Sequence, residues 1–219
     1  MVVDRFLDPL LTTKETSRHL LIPQRTLNHW LAEEAGGAPL VHRVDPERRG
    51  WPTVPFVAVV EAYVLRSLRE LGLTKRKIKD AAAAVRGEFG TAYALATKKI
   101  VTDGVDIFLD YADGDLARVG DQQRPIREVL DRYLTYIAWD SDDEFASSLR
   151  LRQYPDIAPV IIDPRFGWGA PVIQENRVPV DAVVEMWLAG DSLKDVAYEY
   201  DLAPEQVEAI CRAAQRVPA

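Results

Sequence analysis

Gln24, Arg25 and Asn28 follow Pro23 at the start of a short amphipathic stretch, and together they carry the chemistry of nucleic-acid reading. The glutamine and asparagine amides can match the paired donor and acceptor of adenine, and an arginine fork suits guanine or a phosphate. Arg43, Arg48 and Arg49 lie in a turn-rich stretch further on, where flexible cations suit phosphate or minor-groove contacts. The other reactive types assemble into nothing. His19, His29 and His42 stand ten and thirteen residues apart, and no cysteine or carboxylate set completes a metal site around them. Asp110, Asp113 and Asp115 surround Gly114, but their spacing misses a calcium loop and reads as a hairpin turn. Cys211 is the single cysteine and cannot form an internal disulfide. With no phosphate-binding glycine loop or nucleophile elbow, the sequence assigns no catalytic residue, no metal and no cofactor.

The candidate readers need two helices joined by a tight turn. Thr12 followed by Glu15 is a capping-box signature, so a helix is expected to start there and to break near Leu21-Ile22-Pro23. Proline fits the first turn of the next helix, expected from Pro23 to about Leu31 with Leu27, Trp30 and Leu31 as its buried stripe. Arg25 and Asn28 then face outward. The β-prone run Pro39 to Val44, a turn from Asp45 to Gly50 and Trp51 to Val54 form a candidate β-wing. Val57, Val60, Tyr63, Val64, Leu68 and Leu71 recur at helical spacing and Gly72 closes that helix; Thr74 starts another, with Ile78, Ala81, Ala82 and Val85 inward.

Beyond residue 90, Lys99 to Thr102 and Val105 to Leu109 flank Asp103-Gly104, a hairpin signal. Ala112 to Asp115 reads as the next turn, followed by a brief strand to Val119, a helix from about Pro125 to Ile137 and a strand between Phe145 and Tyr154. Extended runs at Val160 to Ile162 and Pro171 to Ile173 then precede three helices, near 180–189, 193–200 and 204–214. The expected fold is mainly α with small β elements, an α+β chain. Its expected domains are a winged helix-turn-helix at 1–90, a small antiparallel sheet with a helix at 91–157, and a three-helix domain at 158–219.

The 219 residues are 47% hydrophobic and 28% charged, an ordinary globular composition, with no apolar run long enough for a membrane span and no secretory leader pattern. A cytoplasmic location and no membrane partner are expected. The net charge of -7 conceals a division: residues 1–100 hold 16 Lys/Arg against 11 Asp/Glu, and residues 101–219 hold 11 against 23. A basic first half and an acidic second half imply surfaces with different partners.

Several motifs, in order, resemble the MerR-type winged helix family: Thr12-Thr13-Lys14-Glu15-Thr16, Ile22 to Leu27, Arg49-Gly50-Trp51-Pro52, and Leu68 to Thr74 with Ile78-Lys79. Leu21 stands where that family commonly has glycine and Asn28 where it commonly has arginine, and the family's long dimerising helix is replaced. The second half is similar to the family numbered 433 among domains of unknown function, through Asp163-Pro164, Gly169 to Ile173, Arg177 to Val180, Leu188 to Gly190 and Pro204 to Val207. There Glu175-Asn176 departs from the usual Gly-Thr.

Together the halves resemble a VapB-type antitoxin. The resemblance implies operator DNA as one partner, a VapC-type PIN-domain ribonuclease toxin as the other, and repression of the chain's own operon. An acidic domain could attract a basic ribonuclease, and Arg177 could reach the carboxylates that hold its magnesium, or simply brace its own turn. A MerR-like regulator that senses a small ligand through its middle region is the alternative. Paired half-sites call for a homodimer, and the hairpin from Lys99 to Leu109 offers an edge for it.

Overall fold

The computed structural model describes residues 3–32, 39–46, 48–116 and 123–216. Helix α1 spans Thr13–Leu20. It opens on a complete capping box: the Thr12 side chain accepts from the Glu15 amide at 3.2 Å while the Glu15 carboxylate accepts from the Thr12 amide at 2.7 Å. Leu21 ends it at φ 52°, the left-handed conformation that glycine would take at least cost. The turn is held from several sides instead. The Ile22 amide bonds to the Ser17 carbonyl, the Ser17 hydroxyl to the Ile22 carbonyl, and Arg66 donates to the Leu20 carbonyl. Helix α2, Gln24–Leu31, follows directly.

Helix α3, Phe56–Glu70, is buried on almost every face from Phe56 to Leu65 and again at Ser67 and Leu68. Such all-round burial marks a helix with neighbours on all sides. Those neighbours are α1, helix α4 (Lys75–Phe89), a short 3-10 turn at Ala94–Ala96, helix α6 (Gln123–Leu134) and strand β2 (Ala146–Arg150). Among the bonds that tie the halves directly are those from the Tyr63 hydroxyl to the Tyr133 carbonyl at 3.0 Å and from Arg5 to the Ala146 carbonyl at 3.1 Å.

Four antiparallel strands lie in the order β1 (Ile137–Trp139), β2 (Ala146–Arg150), β3 (Val160–Ile162) and β4 (Val172–Ile173). Ile137 pairs with Leu149, Leu149 with Ile162, and Val160 with Ile173. The boundary expected near residue 157 thus runs through the centre of one sheet. Helices α7 (Val180–Leu188), α8 (Leu193–Glu199) and α9 (Pro204–Arg216) follow as expected, with Ser192 capping α8 at 3.2 Å.

Two expectations fail. Residues 99–109 form no hairpin: a π-helical turn at Ile100–Gly104 runs into helix α5, Val105–Leu116, which also absorbs the turn expected at Ala112 to Asp115. Burial decides this. Ile100, Val105 and Phe108 are fully or almost fully buried on one helical face, and Gly104 serves close packing, since a Cβ there would sit 2.6 Å from Ile100. No strand edge remains there for a second subunit. The wing also lacks ladders: its arms share the bond from the Val44 amide to the Thr53 carbonyl at 2.9 Å, and Val54 bridges to Leu11. Pro46 and Pro52 offer no N–H with which to extend the pairing. The strand expected near Val119 lies outside the described residues.

The second half also braces α1. Gln153 donates to the His19 carbonyl at 2.9 Å, and a Cβ at Gly169 would stand 2.7 Å from Leu10. Burial, reinforced by Arg18, lowers the pKa of His19 from 6.5 to about 4. The unfolded chain therefore takes up a proton that the folded chain refuses between those values. Stability is full above pH 6.5 and falls as pH drops toward 4, by about 2–3 kcal/mol. Thermal melts across that window should show a slope that His19→Phe largely removes; an unchanged slope in the variant would assign the loss to other groups.

Candidate nucleic-acid interface

Helix α2 has no side-chain cap, because Pro23 occupies the N-cap position, and its first bonds run from the Thr26 and Leu27 amides to the Pro23 carbonyl. Its apolar stripe fixes its rotation. Leu27, Trp30 and Leu31 are buried, which leaves Gln24, Arg25 and Asn28 exposed at the surface. In helix-turn-helix proteins generally, side chains near the start of the second helix are the ones that reach base edges in the major groove.

Two depressions bring other elements to that helix. Arg25 and Asn28 line a groove of about 740 Å³ whose far wall carries Arg69, from the end of α3, and Lys75, from the start of α4. The Arg69 guanidinium also donates to the Thr26 hydroxyl at 3.1 Å, locking α2 against α3. On its other side Asn28 shares a hollow of about 260 Å³ with Thr13, Arg43 and Thr53, so the recognition helix, the start of α1 and the wing meet around one amide. Gln24 lies apart from both, lining a third depression with Lys14 and Arg18 of α1.

The wing arginines are exposed but not equivalent. Arg43 pairs with Asp45 at 3.1 Å, a solvent-facing contact of small worth that a phosphate could replace. Arg48 lies 5.3 Å from the Trp51 ring centre, and Arg49 is exposed on the same turn.

Sequence reading missed Lys14, Arg18, Arg69 and Lys75. A signal for the last was present. Helix α4 opens on Lys75 with no acidic residue in its first turn, although a cation at the positive end of a helix costs about 0.3–1 kcal/mol unless an anion offsets it; Arg76, next along, pairs with Asp80 at 3.8 Å.

Arg177, on the opposite half, braces its own turn. At φ 64° it donates to the Gln174 carbonyl at 2.6 Å and stands 5.0 Å from the Phe166 ring centre. The departure at Glu175-Asn176 is accommodated by Asn176, which accepts from the Val178 amide at 3.1 Å and donates to the Tyr200 carbonyl at 2.8 Å. Two residues after Phe166, Trp168 is 67% exposed on left-handed backbone at φ 52°. On the last three helices, Leu188 and Tyr198, 66% and 90% exposed, stand among Asp191, Asp195, Glu199 and Asp201.

No helix among the described residues is long and apolar enough to cross a membrane. Residues 9–82 match the family described as "Putative DNA-binding HTH domain", and residues 160–212 match "Protein of unknown function (DUF433)". The chain is 32% identical over 224 residues to "Putative antitoxin VapB45" of Mycobacterium tuberculosis (strain ATCC 25618 / H37Rv), covering 93% of this chain and 92% of the relative. It also aligns with the X-ray crystal structure of Rv2018 from Mycobacterium tuberculosis at a TM-score of 0.78 and 30% identity, over 97% of this chain and 99% of the other.

Proposed function

The chain belongs to the family of the relative called "Putative antitoxin VapB45", and from that premise we propose that it is the DNA-binding antitoxin of a type II toxin–antitoxin pair. In this reading it neutralises a VapC-type PIN-domain ribonuclease and represses its own operon as a homodimer. The observation that carries the proposal is the pairing of opposite surfaces on one chain. Gln24, Arg25, Asn28, Arg43, Arg48 and Arg49, joined by Arg69 and Lys75, present cations and amides around an exposed helix start. That is the composition of a DNA-reading face.

The last three helices present the reverse. Exposed Leu188 and Tyr198 amid carboxylates suit an enzyme that is basic because it binds RNA. Arg177 beside Phe166, with the outward Trp168 two residues further along the chain, supplies the aromatic and arginine types enriched in binding hot spots, and it is the residue offered to the toxin's metal-holding carboxylates.

Co-expression with the neighbouring reading frame tests this directly. The expected result is a stable complex in which the partner's RNA cleavage is suppressed, with the full chain purifying as a homodimer by light scattering. A chain that leaves that ribonuclease active would remove the antitoxin role. A small-molecule-dependent change in DNA affinity, with no protein partner, would support the ligand-sensing regulator instead.

A further inference from the structure

Glu61 lies in the middle of α3 and is fully buried, which a carboxylate tolerates only when its charge is paired and its oxygens are bonded. Its partners come from the wing and from α4. It accepts from the His42 backbone amide at 2.8 Å, contacts the His42 ring Nδ1 at 2.8 Å, and pairs with Arg86 at 3.3 Å. Arg86 spreads the grip, donating to the Leu40 carbonyl at 2.8 Å, the Pro39 carbonyl at 3.4 Å and the Ala92 carbonyl at 3.0 Å. The His42 ring also packs against Tyr93, with centroids 4.4 Å apart. One carboxylate and one guanidinium therefore hold the backbone of the wing's first arm, on the residues immediately before Arg43.

The other ties lie at the base of the wing: the Thr53 and Val54 amides bond to the Leu11 carbonyl at 3.1 and 3.0 Å, the Val44 amide bonds to the Thr53 carbonyl at 2.9 Å, and Val41 and Val54 are fully buried. The second arm is anchored at Val54 by Leu11, and the first arm has the bond from the Val41 amide to the Trp30 carbonyl at 2.9 Å. An apolar residue at position 61 could supply burial, but it would give the His42 amide no acceptor and leave Arg86 uncompensated. Buried ionic groups of this kind add little net stability, and their best-attested use is to select one arrangement over others.

We infer that Glu61 is a positioning residue for DNA binding: with Arg86 it fixes the wing so that Arg43, Arg48 and Arg49 meet phosphates, an inference that rests on the DNA-binding reading of the first half. Loss of the buried charge frees the wing, and the three arginines stop contributing fixed contacts while the recognition helix, held by Leu27 and Trp30, keeps its own.

The test uses the full chain, a random-sequence DNA duplex and a salt titration of affinity. Each phosphate contact contributes about 0.9 to the slope of log affinity against log salt, so folded Glu61→Gln should lose about two to three units of slope. Arg43→Ala should weaken binding in the wild type and do nothing further in the Glu61→Gln background, whereas Arg25→Ala should weaken both equally. A merely destabilised protein would keep the Arg43 effect. A folded Glu61→Gln protein with the wild-type slope, or with an undiminished Arg43 effect, overturns the inference. If Glu61→Gln does not fold, Arg86→Lys keeps a cation beside Glu61 but loses the fork that spans the Pro39, Leu40 and Ala92 carbonyls; it must lower the slope, and an unchanged slope overturns the inference. A wild-type chain that binds no duplex at any salt concentration overturns the DNA-binding reading itself, a result distinct from a positioning failure.

Discussion

Leu65→Ala is expected to cost about 2–5 kcal/mol, the range for removing a leucine from a tightly packed core. Leu65 is fully buried in α3, the helix whose neighbours include α1 of the basic half and α6 and β2 of the remainder. Against a total stability of about 5–15 kcal/mol, the loss is a large fraction of the whole. Because the same helix serves both sides, the DNA-facing and acidic regions should melt together in one transition at a lower temperature. Leu188→Ala, at a site 66% exposed, should change stability by no more than about 0.5 kcal/mol. Two separate transitions, with only the first moved by Leu65→Ala, would show instead that residues 1–90 fold as an independent unit.

That shared helix was only partly legible. The spacing of Val57, Val60, Tyr63, Val64 and Leu68 announces one buried stripe, and a single stripe implies a single partner. The structure also buries Ala58, Val59, Ala62 and Leu65. Small and β-branched residues do not declare from the sequence whether they face a neighbour. The helix-turn-helix was readable because its determinants are local: the Thr12–Glu15 box, Pro23 at the second start and the three-residue step between Leu27 and Trp30. The region 99–109 misled for the same reason. Asp103-Gly104 is a strong local turn signal and Ile100, Val101, Thr102, Val105 and Ile107 favour strands. Non-local burial of Ile100, Val105 and Phe108 outweighs both. The α2–α4 groove was invisible because Arg25 is brought to Arg69 and Lys75 by packing alone, although Lys75 at the positive end of α4 was a hint.

The largest functional effect is expected where that packing concentrates charge. Arg25 and Asn28 sit on one side of the groove and Arg69 and Lys75 on the other, so a DNA strand beside α2 would meet cations from three helices. Arg25→Ala alone should weaken binding to the DNA upstream of the chain's own coding sequence by about 1–3 kcal/mol, the worth of one good arginine contact to a base. If Arg25 reads a base, its loss should also narrow the gap between that DNA and random sequence. Arg69→Ala and Lys75→Ala should weaken both DNAs alike, because a phosphate contact carries no sequence information. The triple variant should lose about 2.7 units of salt slope if each cation meets a phosphate, and nearer 1.8 if Arg25 is spent on a base. The slope thus separates reading from anchoring without a structure of the complex. Arg69 has a second role through the Thr26 hydroxyl, so Arg69→Lys is the control: it keeps the charge but not the planar fork. A folded triple variant that binds with the wild-type slope would place the DNA elsewhere on the protein, and the α2–α4 groove would have to be given up as its contact surface.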